Sequence, residues 1–178
     1  MSYEFSQKDR IVSESNNLTL ISPSAYFSDL TIIVSWLNDK EHMKFSNQRF
    51  QNHTTKTQLD YVEKLRRDGN IYLVAYYGNT LVGTSSVLLN HPLKVAEIGI
   101  LVSNQLTEFG IGTKLMQATI AFVETKLGIK KIIGGCLSVN TGMKRVFEKC
   151  GFQIERISEN EEIFESKRVD VYLYSKFI

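Results

Sequence analysis

Apolar residues in this chain follow two periods, and the switches between them outline a mixed fold. Leu18-Thr-Leu-Ile21 reads as a first strand, broken by Ser22-Pro-Ser24. Phe27, Leu30, Ile33, Val34 and Leu37 then recur at helical spacing and stop near Asn38-Asp39. Thr55-x-x-Gln58 has the form of a capping box, and Leu59, Val62 and Leu65 carry a second helix to Asp68-Gly69-Asn70. The middle is strand-like: Ile71 to Tyr77, a Gly78-Asn79 turn, Thr80 to Leu89, and Val95 to Val102 after the break at Asn90-His91-Pro92. Helical spacing returns with Met116, Ile120, Val123 and Leu127, ending at Gly128. A strand over Lys131 to Leu137 follows. Met143, Val146, Phe147 and Cys150 then mark a helix stopped by Gly151, before strands at Phe152–Ile157 and Val169–Phe177. This pattern predicts one α/β domain over 18–178, preceded by a polar arm over 1–17.

Composition narrows the class. The 178 residues are 43% hydrophobic and 22% charged, with a formal net charge of +2, enough for a core and too little basic excess for a nucleic-acid surface. Neither an apolar stretch of membrane-spanning length nor a secretory h-region is present in the sequence, so a cytoplasmic protein with no membrane partner is expected. Cys136 and Cys150 suit a reducing compartment and read as small buried hydrophobes. His42, His53 and His91 are scattered, so no metal site is expected.

The segment from Val102 to Thr113 carries the most chemistry. A strand runs into a loop with Gly110 and Gly112, which opens a long helix. The first amides of a helix lack intrahelical partners, and the helix dipole places partial positive charge there. Glycines let such a loop approach a pyrophosphate closely. Two glycines alone are equally compatible with a tight strand-to-helix turn. The third glycine of a dinucleotide loop is missing, since position 115 is Leu, and Gly112-Thr-Lys114 has the wrong order for a Walker A loop.

Thr107-Glu-Phe-Gly110-Ile-Gly112, with Val102 five residues before it, resembles the coenzyme A motif of the GNAT acetyltransferase superfamily. Asn140-x-x-Met143-x-x-x-Phe147-x-x-x-Gly151-Phe152 resembles its second motif at every spacing. The start of the domain, with Trp36-Leu-Asn-Asp39, is similar to the branch holding ribosomal-protein N-terminal acetyltransferases and their small-molecule relatives. The resemblance implies a mostly antiparallel sheet of six to seven strands, flanked by about four helices. It implies acetyl-CoA as cosubstrate, held by Leu101, Val102, Thr107, Glu108, Phe109, Gly110, Ile111, Gly112, Thr113, Asn140 and Phe147. Two positions depart from the family pattern. Thr107 stands where Gln or Arg is usual, and Phe147 stands where a Tyr general acid is frequent. A thiolate whose conjugate acid has a pKa of about 8.5 can leave with little help. Asn140 also suits a helix N-cap, and Ser138 a plain strand end.

The reaction implied is amine attack on a thioester. An alkyl ammonium with a pKa of about 10.4 must first lose a proton. Glu97, the only carboxylate between Pro92 and Glu108, is the candidate base, provided that its side chain does not point to solvent. A covalent Cys intermediate is disfavoured, because neither cysteine has an adjacent His. Gln48, Arg49 and His53 lie in a polar stretch that the resemblance places beside the acceptor, similar to stretches in sugar-amine acetyltransferases. Arg49 is expected to pair with an anionic acceptor such as an amino-sugar nucleotide. Protein N-terminal acetylation and a non-catalytic acyl-CoA-binding domain are the alternatives, and a homodimer is compatible with the sequence.

Overall fold

The computed structural model describes residues 10–15, 18–23, 29–106 and 110–178. Eight strands form one sheet in the order β1-β2-β3-β4-β5-β6-β8-β7. They are β1 (Arg10–Ser15), β2 (Leu18–Ser22), β3 (Ile71–Tyr77), β4 (Thr80–Asn90), β5 (Val95–Val102), β6 (Lys131–Leu137), β7 (Gln153–Phe164) and β8 (Lys167–Phe177). The helices are α1 (Leu30–Asn38), α2 (Thr55–Arg67), α3 (Ile111–Leu127) and α4 (Thr141–Lys149), with a single tight turn at Asn47–Phe50. The strand beyond the expected number is β1, which lies within the segment expected as an arm and pairs antiparallel with β2.

Two cores lie on opposite faces of the sheet. One packs α1 and α2 through Ile33, Trp36, Val62 and Leu65 against Tyr72, Val74 and Tyr76 of β3. The other packs α3 and α4 through Leu115, Met116, Val123 and Phe147 against Leu73, Val87, Ala96 and Ile98. Alternation along β5 therefore sends Ile98, Ile100 and Val102 toward α3, and Glu97, Gly99 and Leu101 toward α1 and α2.

All neighbouring strands pair antiparallel except β5 and β6. That parallel ladder holds only Val95↔Lys131, Ala96↔Ile132 and Glu97↔Ile133. Past Glu97 the two strands part, β5 staying with β4 as far as Val102 and β6 with β8 as far as Leu137. Phe147 sits at the parting as a wedge. A Cβ on Gly134, the first residue of β6 without a partner on β5, would lie 2.8 Å from its ring.

The capping box of α2 sits one residue earlier than the sequence suggests. Thr54 caps the Thr57 amide at 3.1 Å, and Thr57 Oγ1 accepts from the Thr54 amide at 2.9 Å. Gln58, expected as the box partner, is buried and donates to the Tyr72 hydroxyl at 3.1 Å. Among the described residues no helix is long and apolar enough to cross a membrane, and no group of His, Cys, Asp and Glu could hold a metal ion.

Candidate active site

The split between β5 and β6 opens into a groove of about 590 Å³. Its walls are Ile98, Ile100 and Val102 on β5, Gly135 and Cys136 on β6, Gly112 at the start of α3, and Asn140, Met143 and Val146 from α4. Residues 41–46 form a strap across it. His42 fastens the strap to the strand, its Nε2–H donating to the Val102 carbonyl at 2.8 Å. Asp39 fastens it again, accepting from the amides of Glu41 and His42 and from Asn104 Nδ2, each at 3.1 Å. The His42 amide above all, then the Asn104 side chain, holds the Asp39 carboxyl below its ordinary pKa.

Because the Val102 carbonyl points away from β4, alternation puts the amide and carbonyl of Ile100 on the same open edge. This edge has lost its β6 partner, so it presents main-chain donors and acceptors to whatever fills the groove. At its mouth α3 begins from Gly110, which adopts a left-handed φ of 72°. The amides of Ile111, Gly112 and Thr113 form the first turn, where a helix leaves its N–H groups unpaired. A Cβ at Gly112 would stand 3.4 Å from Val146 and 3.6 Å from Val102, so glycine keeps this corner clear. An apolar slot with a free strand edge and helix amides at its mouth suits an extended acyl carrier ending in phosphates.

The expected coenzyme residues divide accordingly. Val102, Gly112 and Asn140 line the groove. Asn140 also caps α4, accepting from the Met143 amide at 3.0 Å. The Ile111 side chain is in the core, so it offers the groove only its amide, and Thr113 does not line the groove, its carbonyl accepting from Cys150 Sγ at 3.7 Å. Leu101 lines a different cavity, because alternation turns it to the other face. Thr107, Glu108 and Phe109 lie outside the described residues. Phe147 does not line the groove: it is 1% exposed and stacks on Tyr174 with ring centroids 4.5 Å apart. An aromatic ring without a hydroxyl is more stable against Tyr174 and Phe152 than facing a solvent-filled slot.

A second cavity, of about 600 Å³, opens on the opposite face of β5. Glu97 lines it, together with Thr84 and Ser86 of β4, Tyr72 of β3, Gln58 and Tyr61 of α2, and Gln48 and His53 from the loop between α1 and α2. Asn38 places His53, its amide donating to the His53 carbonyl at 2.8 Å while its oxygen accepts from the His53 amide at 2.9 Å. His53 Nε2–H donates to the Gln48 carbonyl at 3.1 Å, which leaves Nδ1 as the ring atom available to a ligand. Burial pushes the Tyr72 phenol up to about 12, although hydrogen bonds with Thr84 and Gln58 act against the shift.

Gly99 and Ile100 line both cavities, as do Met43 and Ser46 of the strap. The two spaces therefore meet across β5 at Gly99, two residues beyond the Glu97 carboxylate.

Arg49 is turned away from this meeting point. Its guanidinium lies 4.1 Å over the Phe50 ring and donates to the carbonyls of Ser46 at 2.8 Å and Ile163 at 3.3 Å. It lines a separate recess with Lys40 and Asn52. Among the described residues this second cavity is lined by one carboxylate and by no lysine or arginine. The expected arginine–phosphate contact is therefore absent from it. Sequence reasoning also missed Ser86, Thr84, Tyr72 and Gln58, which look like ordinary strand and helix residues until the β3–β4–β5 register brings them together.

An apolar slot on one face and a polar cavity on the other, meeting at one strand, define a two-substrate group-transfer domain. A family model described as an acetyltransferase (GNAT) domain matches residues 17–153, and the chain belongs to this family. No curated protein matches it in sequence. Among solved structures it is similar to the ribosomal L7/L12 alpha-N-protein acetyltransferase RimL in complex with coenzyme A, at 18% identity and TM-score 0.81, covering 95% of this chain and 98% of that one. It is similar to spermidine N-acetyltransferase from Vibrio cholerae in complex with CoA and spermine, at 20% identity and TM-score 0.80, covering 92% and 96%. It is also similar to the microcin C7 self-immunity acetyltransferase MccE in complex with acetyl-CoA and AMP, at 20% identity and TM-score 0.78, covering 92% and 94%.

Proposed function

We propose that this protein transfers an acetyl group from acetyl-CoA to the primary amine of a small polar molecule, by direct attack across Gly99. The observation that carries the reading is the meeting of the two cavities at Gly99, with Glu97 on the acceptor side. Acetyl-CoA supplies the activated acyl carbon. The open edge of β5 and the first amides of α3 bind and orient it, and the strap over residues 41–46 excludes water. Glu97 takes a proton from the acceptor ammonium, directly or through water, so that a neutral nitrogen faces the groove.

The acceptor class follows from the lining. One carboxylate suits one ammonium, and the amides and hydroxyls of Gln48, Gln58, Thr84 and Ser86 suit a neutral hydroxylated body such as an amino sugar without phosphate. A polyamine would call for several carboxylates. A protein N-terminus is the rival acceptor, in keeping with the likeness to RimL. The deciding experiment is thiol release from acetyl-CoA with amino sugars, spermidine and N-terminal peptides as acceptors. Turnover with amino sugars is the expected outcome. Efficient turnover of peptides with amino sugars ignored overturns the acceptor class, and absence of turnover on every amine favours a domain that only holds acyl-CoA.

A further inference from the structure

We propose that Ser86 is a second catalytic residue, whose hydroxyl accepts a hydrogen bond from the acceptor nitrogen and holds it at Gly99 beside Glu97. This rests on the acetyl-transfer reading above and adds a contact to it. The β4–β5 register sets Ser86 directly opposite Gly99, and Thr84 opposite Leu101. A Cβ built on Gly99 would lie 2.9 Å from Ser86 Oγ, so the hydroxyl leans into the space that glycine leaves open. That space is the point where the two cavities join. Glu97 sits opposite Leu88, which makes it the diagonal neighbour of Ser86 on the same face, within reach of a side chain as long as glutamate.

Two other hydroxyls of the cavity are already engaged. Thr84 is hydrogen-bonded to Tyr72, and Tyr72 also accepts from Gln58. The Ser86 hydroxyl has no hydrogen-bond partner among the described residues, although the residue is half buried. A half-buried hydroxyl without a partner, beside a carboxylate and over a glycine, can accept an N–H from an incoming amine. Glu97 takes the proton that must leave, and Ser86 fixes the direction of the remaining lone pair toward the groove. The contact is charge-assisted in the transition state, when the nitrogen becomes positive.

The test is steady-state thiol release from acetyl-CoA, with glucosamine, ethanolamine and spermidine as probe amines. Ser86→Ala should lower kcat/KM for the best of the three about tenfold or more. Ser86→Thr, which keeps the hydroxyl, should stay within about threefold of the wild type, while the melting-temperature shift produced by acetyl-CoA is unchanged in both variants. Gly99→Ala pushes a methyl into Ser86 Oγ and should cost as much as Ser86→Ala. The double variant should be no worse than either single one, because both remove the same contact. Wild-type turnover in Ser86→Ala, or losses that add in the double variant, overturns the proposal. With Glu97→Gln run in parallel, an impaired Glu97 variant beside a fully active Ser86→Ala rejects the Ser86 contact alone. No release by the wild type with any probe rejects the transfer to small polar amines, and the Ser86 contact with it.

Discussion

The two cavities on either side of β5 are nearly equal in volume and opposite in construction. The groove has apolar walls and draws its polar groups largely from main chain: a strand edge released from its partner and the first amides of α3. The acceptor cavity is made of side chains from β3, β4, β5, α2 and the loop before α2. A site built from backbone fixes what the ligand's common part must be, whereas a site built from side chains can be changed without disturbing the fold. The difference explains why one half of the chemistry is written in a short motif and the other half is scattered over some fifty residues of sequence.

The sharpest way to break this contrast is Gly112→Val. Its branches would meet Val146 and Val102 and fill the mouth of the groove. Acetyl-CoA at a hundred times Kd should stabilise the wild type by about 2.7 kcal/mol, and thermal melting of the variant should show that shift abolished. A retained shift would mean that the α3 terminus is not the phosphate site. Next, Glu97→Gln should lower kcat/KM by about 10² or more while leaving the acetyl-CoA shift intact, as steady-state kinetics beside melting curves will show. Near-normal turnover across pH 6–9 would remove Glu97 from the proton path.

Cys136 offers a milder probe of the groove wall. Burial pushes its thiol up to about 11, with the Lys144 ammonium acting weakly against the shift. Alkylation by iodoacetamide should therefore be slow at neutral pH, rise about tenfold per pH unit toward pH 10, and be suppressed by acetyl-CoA. The sign for stability is the reverse. A thiol whose folded pKa is raised contributes fully below its unfolded value, and that contribution is lost as pH climbs from about 9 to about 11, so Cys136→Ala should flatten the alkaline fall in melting temperature. The smallest effect expected is at Arg49. Arg49→Ala should change acceptor KM by less than about threefold, since its guanidinium lies outside the cavity and bonds only to the main-chain carbonyls of Ser46 and Ile163. A tenfold rise confined to anionic acceptors would bring the arginine back into the site.

The same contrast sets what the sequence could and could not reveal. Lys131–Leu137, Val95–Val102 and the end of α3 at Gly128 are legible because burial on one or both faces imposes a period and glycine marks the stop. The start of α3 is legible because the left-handed φ of 72° at Gly110 favours glycine. The β1 strand is not, since Arg10–Ser15 carries two charged and two serine residues and owes its conformation to the edge of β2. The contacts of Arg49 are hidden for a similar reason. Its place in the chain suggests the acceptor, but the choice of partner is made by the Ile163 carbonyl, 114 positions away. Ser86 has no signature at all, and only the register, which sets it opposite Gly99 on the cavity face while Ser85 is buried on the other, tells the two serines apart.

The strap over residues 41–46 also makes the order of synthesis matter. Phe45 stacks on Phe164 with centroids 5.2 Å apart, and Arg49 reaches Ile163, so the strap leans on the tip of the β7–β8 hairpin. That tip lies beyond residue 153, where the family match stops. Chains emerge from the ribosome N-terminus first, and a domain can close only when its last contacts are available. The strap is thus made early and stays without its support until β7 and β8 are out, with β6 still waiting for β8. Acetyl transfer should begin only after the hairpin has been released from the ribosome, which makes the onset of activity a report that β8 has joined β6.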